Sequence, residues 1–153
     1  MITERGASMI EIIGVLAIAG LMSAAAIGMY NTIRNNQARK IASTQMDEIV
    51  RNTKMLMDMQ GDYSGVSVDY LISAGALDNA NPPIGGDAWS VTPNFDGTGF
   101  AINLTELSSG ECEYFATTRP DWATRVVING SDYTGKNPNC FSSDINQISF
   151  FVE

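Results

Sequence analysis

The residue best placed to do chemistry is Glu11, a carboxylate inside an apolar run, and the chemistry open to it there is charge pairing. From Ile12 to Ile33 no residue is charged, and that stretch exceeds the ~20 residues a helix needs to cross a bilayer's hydrocarbon. A carboxylate in a membrane-inserting segment costs roughly 2.5–3.5 kcal/mol on insertion scales, so its presence calls for a cation. The nearest candidate is an α-amino group. If the chain is cut after Gly6, Ala7 becomes the new N-terminus and Glu11 stands four residues beyond it.

The remaining reactive groups are few. The sequence has no histidine and two cysteines, Cys112 and Cys140, so the Ser/His and Cys/His arrangements of nucleophilic catalysis are excluded and zinc-ligand spacing is absent. The carboxylate pairs Asp47/Glu48 and Glu111/Glu113 are adjacent or alternate within predicted helices, so neither pair faces a common site and a solvated surface is expected. Two loops, Asn94 to Gly99 and Asn129 to Asp132, carry oxygen side chains without the spacing of a calcium loop, and turn chemistry accounts for them. The expectation is a non-enzyme with no catalytic residue, no cofactor and no metal. With 9 Lys+Arg against 17 Asp+Glu the net charge is −8, which repels phosphate backbones and argues against nucleic acid as a partner.

These groups must be positioned by a small number of elements. The apolar run continues into an amphipathic half: between Asn31 and Gln60 there is no Pro or Gly, and Ala38, Ile41, Ala42, Met46, Ile49, Val50, Thr53, Leu56 and Met57 recur at three- and four-residue spacing. A single helix from about Ile10 to Gln60, stopped by Gly61, is predicted. Gly14, Gly20 and Gly28 read as places where its first half can stretch or melt, or as close-packing positions in a membrane. A short amphipathic helix is predicted over Val66 to Leu77, and another from Ser108 or Ser109 to about Thr118. Strands are predicted at Trp89 to Thr92, Phe100 to Leu104, Arg125 to Asn129 and Ile148 to Val152. The fold class is α+β: a long N-terminal helix packed on a small, mainly antiparallel four-stranded sheet. Trp89, Trp122, Phe115, Phe150 and Phe151 are expected in its core, with any exposed subset free for subunit contacts or adhesion.

The run from Arg5 through Gly6, Ala7, Ser8 and Glu11 to Leu16 resembles the class III signal of type IV pilins. A conventional signal peptide is the competing reading, since Ser23 to Ala26 offers small residues. However, Glu11 breaks the apolar core and Met1 to Arg5 has no net side-chain charge. The resemblance implies that a prepilin peptidase cuts after Gly6 at the cytoplasmic face of the inner membrane and methylates Ala7. Residues 1–6 are then a cleaved leader, 7–33 an apolar membrane and filament-core helix, 34–60 its amphipathic continuation and 61–153 the globular head. In a chain so exported, Cys112 and Cys140 are expected to form one disulfide. Free thiols or intermolecular pairing are the alternatives. A loop of roughly 27 residues closed in this way is constrained by about 3–4 kcal/mol.

Leu77, the stretch Asn81 to Gly86, Phe100 to Leu104, Leu107 to Cys112, and Cys140 with the Phe-rich end are similar in order to type IVb pilins. The resemblance implies a structural subunit held in the inner membrane and polymerised, with the pilus assembly machinery, into an extracellular homo-oligomeric helical filament. In that filament Glu11 pairs with the α-amino group of Ala7 on a neighbouring subunit. A type II secretion pseudopilin or minor pilin is the alternative. A membrane-anchored periplasmic enzyme or binding module is a more distant one.

Overall fold

Between Met9 and Met57 there is no proline, and the chain forms one helix, α1 (Met9–Met57). The computed structural model describes residues 8–86 and 88–153. The helix stops three residues earlier than predicted: the Gly61 amide folds back to the Met57 carbonyl at 3.1 Å, and Gly61 has φ +68°, a conformation that side chains disfavour and that ends helices. The chain divides into two compact units, one ending at Gln37 and the other running from Ala38 to Glu153. In the first unit every described side chain is exposed. The helix is continuous through Gly14, Gly20 and Gly28, and apart from adjacent residues and the helix's own backbone nothing described lies within 4 Å of where a Cβ would sit on any of the three.

In the second unit α1 buries Ala42, Met46, Ile49, Val50, Thr53 and Met57, the three- and four-residue spacing of one apolar face. Ile41, expected on that face, stays 50% exposed because it sits one residue around the helix from Ala42. Helix α2 (Val68–Ser73) is shorter than its apolar pattern suggested. Ser67 caps its start by accepting the Tyr70 amide at 3.1 Å, and Gly75 at φ +72° ends it.

The sheet comprises β1 (Ser90–Pro93), β2 (Phe100–Leu107), β3 (Arg125–Ile128), β4 (Ser131–Asp132) and β5 (Asn146–Val152), in the order β1-β2-β5-β3-β4. All four pairings are antiparallel. The predicted sheet had four strands, and the fifth is β4. Asn129 and Gly130 both take positive φ, 48° and 79°, the two-residue turn that closes a tight hairpin and brings Ser131 opposite Ile128. Strand β2 also runs past its predicted end at Leu104. An irregularity in register between Leu104 and Leu107, with Glu106 at φ +53°, breaks the alternation of burial that sequence periodicity detects. Phe100, Ile102, Leu104, Val126, Ile128, Ile148, Phe150 and Val152 share one core with the buried face of α1 and with Cys112 and Phe115 of α3 (Ser109–Thr117).

Candidate functional site

The start of α1 fixes Glu11. Ser8 is the last residue before the helix; its backbone N–H donates to Glu11 Oε2 at 2.9 Å, while the Glu11 amide donates to Ser8 Oγ at 3.4 Å. This reciprocal pair is a capping box, which satisfies two of the backbone donors that every helix start leaves without partners. A carboxylate at that end also meets the positive pole of the helix dipole. The Ser8-x-x-Glu11 spacing is the local sequence sign of this cap. Glu11 makes no ion pair among the described residues. Gly6 and Ala7, the expected cleavage site and amino-group partner, lie outside the described residues.

On either side of Glu11 the helix presents apolar side chains all round, from Met9 at 84% exposure to Ile33 at 52%. Two of its hydroxyls are satisfied internally: Ser23 donates to the Ala19 carbonyl at 2.8 Å and Thr32 to the Gly28 carbonyl at 3.1 Å. That arrangement suits a segment surrounded by hydrocarbon, where a hydroxyl left without a partner is costly. By length and composition α1 can cross a membrane.

At the opposite end of the sequence the two cysteines are joined, Cys112 to Cys140, with Cα atoms 6.0 Å apart. Cys112 is fully buried on α3. That helix opens on a second capping box, in which Ser108 and Glu111 bond reciprocally. The segment between α3 and β3 is tied down by side-chain hydrogen bonds. Arg119 donates to the Ala123 carbonyl through Nε at 3.1 Å and to the Thr124 carbonyl at 2.7 Å. Trp122 Nε1 donates to Asp47 on α1 at 2.6 Å, so Asp47, expected only as solvated surface, anchors this loop.

Buried Asn146 is the hub of the clasp, and sequence reasoning gave no sign of it. Its Nδ2 stands 3.0 Å from each of the carbonyls of Leu107, Phe141 and Ser143, which share its two hydrogens, and its Oδ1 accepts from the Phe141 amide at 2.6 Å. Of the aromatic residues expected inside, Trp89, Phe115 and Phe150 are buried. Trp122 is half-buried edge-on to Phe150 at 5.9 Å, and Phe151 lies on the outer sheet face beneath the Arg125 guanidinium at 4.2 Å.

The oxygen-rich loop before β2 is a turn. Asp96 Oδ1 accepts from the Thr98 hydroxyl at 2.8 Å and the Thr98 amide at 3.2 Å, which holds its carboxyl below the usual carboxylate range. Asp62 is lowered in the same way by the Ser64 hydroxyl and amide. Tyr63, pushed up to about 12 first by burial and then by its hydrogen bond to Asp58, stacks on Phe100 at 5.3 Å.

Comparison with known proteins places this architecture. No protein-family model matches the chain, and no curated protein sequence matches it. Among solved structures, the crystal structure of TcpA, a type IV pilin from Vibrio cholerae El Tor biotype, matches with a TM-score of 0.61 at 15% identity, covering 76% of this chain and 99% of TcpA. The fold is that of a type IV pilin. The exposed apolar part of α1, long enough to cross a membrane, fits membrane anchoring.

Proposed function

We propose that this chain is a structural subunit of a type IV pilus, of the type IVb class, stored in the inner membrane and polymerised through α1 into an extracellular filament. The observation that carries the reading is a pilin fold whose first helix exposes the apolar surface of its N-terminal part, through Ile33, and interrupts it with one capped carboxylate, Glu11. Burying such a helix among copies of itself removes apolar surface from contact with lipid or water and leaves Glu11 to be neutralised. The α-amino group of Ala7 on a neighbouring subunit is the partner we assign, which requires removal of residues 1–6 by a prepilin peptidase and agrees with methylation of Ala7. Assembly needs the inner-membrane pilus machinery, and the product is a homo-oligomeric helical filament. Intact-mass measurement of the protein purified from the outside of cells tests this. A chain beginning at N-methylated Ala7 with both cysteines oxidised is expected, whereas an N-terminus at Ala26 or an intact Met1 overturns the processing step on which assembly depends.

A further inference from the structure

The outer face of the sheet, turned away from the core, carries a depression of about 400 Å³ between the β1–β2 turn and β3, within the size range of small-ligand sites. Its floor is preorganised. Asn103 Nδ2 donates to Thr92 Oγ1 at 3.1 Å, and Asn103 Oδ1 accepts from Ser149 at 2.6 Å, so the three strands beneath it are cross-linked by side chains. One wall is Phe95, fully exposed at the tip of the turn. The other is Arg125, whose guanidinium lies over the Phe151 ring at 4.2 Å and is tied through Nε to Asp132 at 3.4 Å.

The unspent hydrogen-bonding capacity of the depression selects a ligand. Asp96 has committed Oδ1 to Thr98 and keeps Oδ2, and Glu153 keeps its whole carboxylate. The terminal nitrogens of Arg125 and the Thr92 hydroxyl hydrogen remain as donors. An anion would use the donors and meet two carboxylates; a cation would use the carboxylates and meet the guanidinium. A neutral hydroxyl both donates and accepts, so a polyhydroxylated ligand uses both sets at once. Phe95 adds an exposed ring whose negative face attracts the weakly positive C–H groups on one side of a pyranose.

We propose that the depression lined by Thr92, Phe95, Asp96, Arg125, Phe151 and Glu153 is a binding site for a neutral pyranose sugar. The site lies wholly within the sheet unit and does not depend on filament assembly. Because it is open and one-sided, affinity for a single sugar is in the millimolar range, about the weakest that a few hydrogen bonds and one stacked ring sustain.

The test is amide NMR of the full chain in a detergent without a sugar headgroup. It is titrated with methyl α-mannoside, methyl β-galactoside and methyl N-acetyl-β-glucosaminide, and separately with N-acetylneuraminic acid and methylammonium as anionic and cationic probes. At least one neutral pyranoside gives saturable shifts at the amides of Phe95, Asp96 and Arg125, the charged probes give none, and Phe95→Ala and Arg125→Gln each weaken binding about tenfold with the rest of the spectrum unchanged. Phe95 is fully exposed, so Phe95→Ala remains a folded test even if Arg125→Gln is not. No shift with any neutral pyranoside up to about 50 mM, binding of a charged probe instead, or shifts that survive Phe95→Ala overturns the proposal.

Discussion

Asn129 Nδ2 donates to Asn146 Oδ1 at 3.0 Å, which joins the β3–β4 turn to the start of the central strand β5 just beyond the disulfide. Asn129 Oδ1 accepts the Gln147 amide at 2.9 Å as well, so the two asparagines reinforce the ends of the β2–β5 and β3–β5 ladders, where Leu107 pairs with Asn146 and the Asn129 amide bonds the Gln147 carbonyl. Asn146→Ala leaves the buried Leu107 carbonyl and the part-buried Phe141 amide and carbonyl without this partner, and at ~1–3 kcal/mol per buried group left unsatisfied it is expected to cost about 2 kcal/mol. Denaturant unfolding reads this. A loss under about 1 kcal/mol would mean that water replaces the side chain and that the hub is dispensable.

Thr53 is fully buried and its hydroxyl has no hydrogen-bond partner among the described residues. It stands among Met46, Ile49, Val50 and Met57 on the inner face of α1. Thr53→Val exchanges an unpaired hydroxyl for a methyl of the same shape and is expected to raise stability by about 1 kcal/mol. A destabilised variant would reveal a partner for Thr53 Oγ1.

The Cys112–Cys140 bridge closes a separation of 28 residues, worth about 3 kcal/mol in the chain-entropy model, a large share of the ~5–15 kcal/mol of a typical domain. Cys112→Ser, Cys140→Ser and the double variant remove the same bond and are expected to lose the same stability and to be degraded in cells alike. Unequal single variants would show that the buried Cys112 side chain contributes by packing beyond the bond.

Tyr63 sets an alkaline limit. Burial, then the hydrogen bond to Asp58, raises its folded-state value to about 12, above the ~10 of an unfolded tyrosine. Raising the folded value favours the protonated, folded form, so the contribution of Tyr63 is fully present below about pH 10 and is lost as pH climbs toward about 12. Asp62 and Asp96 are lowered, so theirs is present above about pH 4 and is lost as pH falls below it. Denaturation midpoints of wild type and Tyr63→Phe from neutral pH to about pH 12 are expected to converge at the alkaline end. Parallel curves would remove Tyr63 from the account.

Much of this fold was legible because its strongest signals are local and periodic. The apolar stripe of α1 from Ala42 to Met57, the break at Gly61 and the apolar and aromatic runs of β2, β3 and β5 each follow from residue spacing alone, and the paired cysteines from their number in an exported chain. The missing parts depend on contacts far apart in sequence or on single backbone conformations. The hub role of Asn146 needs Leu107, 39 residues away. The Trp122–Asp47 bond spans 75 residues, and the tail of β2 needs Glu106 in a left-handed conformation. Two missed features did have local signs: Asn129-Gly130 is a hairpin turn signal for β4, and Ser8-x-x-Glu11 is a capping box.

The central claim is that Glu11 drives assembly by pairing with the N-terminus of a neighbouring subunit. At 4 Å and an effective dielectric of 20 such a pair is worth about 4 kcal/mol before desolvation, and each ~1.4 kcal/mol is tenfold in an equilibrium. The most direct measurement is the yield of sheared filaments from cells producing Glu11→Ala. We expect filaments reduced by more than about tenfold, while the membrane retains a correctly cut, disulfide-bonded and folded subunit. Wild-type filament yield from Glu11→Ala would contradict the account.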